Sequence, residues 1–94
     1  MNLEHLRAVL RAIATNERLD CDQKSILFHL AACPRFIDER LRLLQKTGLG
    51  PERYGAAIAS LLNEDLIEEL SSGANGPQYL LCALSLIRRS GQAA

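Results

Sequence analysis

Residues 38–70 read DERLRLLQKTGLGPERYGAAIASLLNEDLIEEL, and the fold turns on the break at their centre, Thr47-Gly48-Leu49-Gly50-Pro51. Gly48 can take the left-handed conformation that closes a helix, and Pro51, with no N–H to lose, suits the first position of the next. Beyond the break, Tyr54, Ile58, Leu61 and Leu62 recur at steps of four, three and one. That spacing predicts a helix over residues 51–64 with one buried side. Its opposite side then carries Glu52, Arg53, Gly55, Ala56, Ala59, Ser60 and Asn63. Ahead of the break, residues 37–46 are expected to form the preceding helix, with Ile37, Leu41 and Leu44 inward. Asp38 and Glu39 would lie in its first turn and Lys46 in its last, the polarity a helix dipole favours.

Working towards the N-terminus, Ile26, Leu27, Leu30, Ala31 and Cys33 make the buried stripe of another helix. Asp20 or Asp22 can cap its start, and Pro34 disfavours helix at the residue before it. Residues 2–14 form a first helix by period: Leu3, Leu6, Leu10 and Ile13 step by three, four and three, with Val9 beside them. Such a stripe either covers the domain's own core or serves as a dimer contact. Towards the C-terminus the period shortens. Residues 66–70 and 78–84 are expected to be two strands of a hairpin, joined through the turn-forming cluster Ser71-Ser72-Gly73-Ala74-Asn75-Gly76-Pro77. Residues 90–94 should fray.

The chain has 94 residues, room for one domain, with 48% hydrophobic and 23% charged residues, the balance of a folded protein. Eleven basic and 11 acidic side chains cancel, so no overall field draws it to nucleic acid or membrane. Three cysteines fit neither a disulfide framework nor a zinc site, and no apolar run is long enough to span a bilayer. The expectation is a cytoplasmic domain with reduced thiols, without metal or cofactor. Cys33 and Cys82 read as small buried hydrophobes. Cys21, near a helix start, is the one candidate for a reactive thiol. His5 and His29 have no ligand-spaced partner, and Glu64, Asp65, Glu68 and Glu69 read as a solvated group. Gly48 and Gly50 lack the Lys-Ser/Thr of a phosphate loop. Nothing here points to an enzyme.

Three helices and then a hairpin, with a TGL turn, a leucine pair and a Leu-Ile exit before SSGANGPQYLL, resemble the winged helix–turn–helix family. Regulators of the multiple-antibiotic-resistance type and small phage or plasmid control proteins are the similar members. The resemblance covers residues 20–84 within a single domain spanning 1–94, mainly α with a small β-hairpin and an extra N-terminal helix. It implies a DNA-binding regulator of transcription or replication. Arg53, Ser60 and Asn63 would then meet bases of double-stranded DNA from the major groove, and Arg42, Lys46, Arg88 and Arg89 would meet phosphates. A homodimer joined through Leu3, Leu6, Leu10 and Ile13 would present two such surfaces. Between residues 34 and 70, however, five basic residues face seven acidic ones, and the expected wing tip is uncharged. Phosphate neutralisation supplies most sequence-independent affinity. The alternative is therefore a domain of the same fold whose neutral helix face grips a protein, as an adaptor or a mobile-element-encoded inhibitor.

Overall fold

The computed structural model describes residues 3–70 and 76–92, with the side chains of residues 89–92 left out. Helices α1 (Leu3–Thr15) and α2 (Cys21–Ala31) lead into a short 3₁₀ turn (Pro34–Phe36) and strand β1 (Ile37–Glu39). Helices α3 (Arg40–Thr47) and α4 (Pro51–Asn63), strands β2 (Ile67–Leu70) and β3 (Gln78–Leu81), and helix α5 (Ala83–Gln92) follow. The strands form one antiparallel sheet in the order β1-β3-β2. The molecule is thus mainly helical with a small sheet.

Local chemistry accounts for each boundary. At the start of α2 a capping box closes: Gln23 N–H donates to Asp20 Oδ1 at 2.8 Å, and Asp20 N–H to Gln23 Oε1 at 3.0 Å. Lys24 Nζ reaches back to the Ala14 carbonyl at 3.0 Å, fastening α2 to the end of α1. Gly48 closes α3 at φ 67°, and a Cβ there would touch nothing, so backbone conformation alone asks for glycine. Helix α4 ends in a Schellman motif, with Asp65 N–H on Leu62 O at 3.1 Å and Leu66 N–H on Leu61 O at 3.0 Å. Asp65 is left-handed at φ 60° in that motif, where glycine is usual.

Two readings of the sequence are corrected. Residues 37–39 are a strand, because Arg35 and Phe36, both at positive φ behind Pro34, turn the chain into an extended path. Ile37, Asp38 and Glu39 pair with Leu80, Tyr79 and Gln78 of β3. Helix α3 therefore starts at Arg40, with Leu43 fully buried and Leu44, as expected, half-buried against the core, while Leu41 is 62% exposed. The expected row of Ile37, Leu41 and Leu44 took its phase from a residue outside the helix. Likewise β3 stops at Leu81, and the expected strand over residues 78–84 gives way at Ala83 to α5, whose Leu86 is fully buried. The backbone stays helical to Gln92, into the stretch expected to fray; residues 93 and 94 lie outside the described residues, as do residues 71–75 of the expected turn.

One core joins these elements: Val9 and Ile13 of α1, Ile26, Leu27 and Leu30 of α2, Leu43, Leu61, Leu66 and Leu86 are all fully enclosed. Each such side chain contributes roughly 1.5–3 kcal/mol on leaving water. Helix α1 packs on α2 and α5 through Val9, Ala12 and Ile13. Ile13, expected at a dimer contact, is thus buried within its own chain.

Candidate nucleic-acid interface

Helix α4 is gripped along one side and bare along the other. Tyr54, Ala57, Ile58 and Leu61 are buried, and the Tyr54 hydroxyl donates to the Arg40 carbonyl at 2.9 Å, pinning α4 to the start of α3. Burial raises the Tyr54 phenol well above its ordinary value, so it stays a donor. Leu62 is half-buried. Glu52, Arg53, Gly55, Ala56, Ala59, Ser60 and Asn63 are all exposed, as their spacing predicts. Arg53, Ser60 and Asn63 share this face, Ser60 about 10 Å along the axis from Arg53 at a rise of 1.5 Å per residue.

The cations are less free than the sequence implies. Arg53 forms a two-pronged ion pair with Asp22 of α2, Nε to Oδ2 at 3.0 Å and Nη2 to Oδ1. Arg53's hydrogen bond holds the Asp22 carboxyl below its usual range, and the pairing raises Arg53 in turn. Lys46 Nζ lies 2.9 Å from Oδ2 of Asp38, a side chain on β1 that is only 4% exposed. Arg42 approaches the same carboxylate at 3.7 Å. Glu39 N–H donates to Asp38 Oδ1 at 2.8 Å, and the Cys33 thiol stands 3.4 Å from Oδ2.

Burial pushes the Asp38 carboxyl up, yet the Lys46 ammonium, the Glu39 N–H and the Cys33 thiol outweigh it and keep it below the ordinary value. Burial, then Asp38, raises the Cys33 thiol; Asp38 raises Lys46. Cys33 is therefore a buried thiol inside a polar cluster, where the sequence reads only a small hydrophobe. Cys82 is half-buried and Cys21 exposed.

Arg42 and Lys46 are thus brought together on α3 by one carboxylate. Arg88 is exposed on α5, a separate element packed on α1, and the Arg89 side chain lies outside the described residues. Of the expected dimer stripe, Leu3 is 66% and Leu10 37% exposed, Leu6 is half-buried and Ile13 enclosed. An open cavity of about 280 Å³ lies between Leu41 and Leu44 of α3, Pro51 and Tyr54 of α4, and Gly76 and Pro77 ahead of β3.

The two acidic partners are what sequence reasoning missed. Asp22 and Arg53 stand 31 positions apart, a separation with no periodic signal. Asp38, Arg42 and Lys46 do follow one another at steps of four, and that spacing could have flagged them. Among the described residues no three His, Cys, Asp or Glu side chains converge as a metal site requires, and no helix is long and apolar enough to cross a membrane. No protein-family model, no curated protein and no solved structure matches the chain.

Proposed function

We propose that the chain is a winged helix–turn–helix domain that binds double-stranded DNA through the exposed face of α4, as a cytoplasmic regulator of transcription or replication. The observation that carries this reading is a helix buried on its Tyr54–Ile58–Leu61 side and bare on its Arg53–Ser60–Asn63 side. It follows a tight turn from α3, an arrangement that lets a second helix enter a major groove. The order α2-β1-α3-α4-β2-β3, with β1 paired to β3, supports it too. In this reading the β2–β3 hairpin is the wing, α2, α3 and α4 the three-helix body, and α1 and α5 additions. Arg53, Ser60 and Asn63 meet bases, and Arg42, Lys46, Arg88 and Arg89 meet phosphates.

A second reading keeps the fold and gives the same face to a protein partner. Its support is the pairing of Arg53 with Asp22 and of Lys46 and Arg42 with Asp38, which removes cations from the phosphate contacts. The stretch from Gly55 to Ser60 is also uncharged and small apart from the buried Ile58. Titration of mixed-sequence duplex DNA against salt separates the two. Binding at low salt that falls steeply as salt is added supports the DNA reading; absence of binding at low salt overturns it in favour of the protein partner.

A further inference from the structure

Asp20 caps α2 and leaves Asp22, two positions further in, to turn its carboxylate towards the first turn of α4. There it takes one particular edge of the Arg53 guanidinium, the side edge made by Nε and Nη2. The end edge, formed by Nη1 and the second proton of Nη2, is not used by Asp22, and the Arg53 side chain is 67% exposed. Guanine offers two acceptors, O6 and N7, to the major groove, and an arginine end edge supplies two donors in one plane. Arg53 is the third residue of α4 and the only basic one in that helix. The N-terminal residues of a recognition helix are the ones that reach base edges.

Asp22 has two separable effects on such a contact. Its fork fixes a long flexible side chain before any base arrives, which lowers the ordering cost of the contact. Its negative charge beside the groove-facing surface opposes phosphates, and so lowers affinity for DNA of any sequence. We infer that Asp22 is a positioning residue for specificity: it presents the end edge of Arg53 to a guanine and suppresses binding to duplexes that lack one. This rests on the DNA-binding reading of α4.

The test selects bound sequences from a randomised duplex pool with the full chain, alongside Asp22→Asn, Arg53→Lys and Arg53→Ala. The selected duplex is then titrated against a copy in which the contacted guanine is replaced by 7-deazaguanine, which lacks the N7 acceptor. The unaltered chain selects a fixed guanine and prefers it to another base by roughly 5- to 150-fold, the range of a good two-donor contact, and to 7-deazaguanine by a smaller factor, because O6 still accepts. Asp22→Asn binds the random pool more tightly yet loses most of that preference, with an unchanged unfolding midpoint. Arg53→Lys keeps the charge but loses the preference. A guanine preference undiminished in Asp22→Asn, or selected sites without a fixed guanine, overturns the inference while the DNA reading stands. If neither the unaltered chain nor the variants retain any duplex at low salt, the DNA reading falls and takes the inference with it.

Discussion

Asp38 shows how one carboxylate can decide the behaviour of several neighbours. It is enclosed on β1 and held in its charged form by Lys46, the Glu39 N–H and the Cys33 thiol. Its pKa is depressed in the folded state, so the folded chain holds the proton less tightly than the unfolded one. The resulting stability is fully present above the unfolded pKa, near 3.9 for a free aspartate, and is lost as pH falls through the folded value. Urea unfolding across the acid range should show that loss, and Asp38→Asn should flatten it; an unchanged acid limb would contradict the pairing. Lys46→Met, which leaves the buried carboxylate short of its nearest cation, should lower the urea unfolding midpoint at neutral pH. Arg53 lies on the surface and behaves differently. Arg53→Ala should leave the unfolding midpoint nearly unchanged but cost about 1–3 kcal/mol in specific duplex binding if it reads a base, measured by titration of a selected site.

At the scale of elements, what could be read in the sequence depended on how local the cause was. Helix α4 was legible because its turn, its first residue and its apolar spacing all sit within one short stretch, and its exposed face followed directly. Strand β1 was not, because three residues become a strand only through a partner some forty positions away, Ile37 meeting Leu80. Helix α5 was hidden because a run of Leu, Ala and Cys serves strand and helix alike, and burial of Leu86 decided it. The candidate site divides the same way: the positions on α4 were legible, and the carboxylates that engage their cations were not. The end of α4 offers an element-scale test. Asp65 occupies the left-handed position of the Schellman motif, where a Cβ costs roughly 1–2 kcal/mol. Glycine removes that strain but gains freedom in the unfolded chain, worth roughly 0.5–1 kcal/mol in the other direction. Asp65→Gly should therefore stabilise the protein by a few tenths of a kcal/mol to about 1 kcal/mol, read as a higher urea midpoint at constant slope. A lower midpoint would show that the Asp65 side chain does something the backbone does not reveal.

The whole molecule leaves α1 with two sides that make opposite demands. Val9, Ala12 and Ile13 face its own core, whereas Leu3 and Leu10, with Leu84 on the adjoining α5, are exposed. A chain of zero formal charge offers little long-range repulsion between copies, and the commonest way for identical surfaces to be covered is a two-fold dimer. A dimer also suits the proposed function, since two recognition helices about 34–36 Å apart meet successive major grooves on one side of the duplex. The longest dimension of one copy, 39 Å, is of that order. Substitutions on the two sides of α1 should therefore separate cleanly. Ile13→Ala opens a cavity in the core and should cost about 2–5 kcal/mol of stability. In the proposed dimer Leu10→Glu would place a charge in the covered contact and should convert it to a monomer in sedimentation, while the fold's own stability shifts by no more than about 0.5 kcal/mol. If the unaltered chain sediments as a monomer and still binds duplex DNA, α1 serves the core alone. One copy of α4 must then act on a single half-site, and the protected footprint should shrink to about one helical turn, near 10 base pairs.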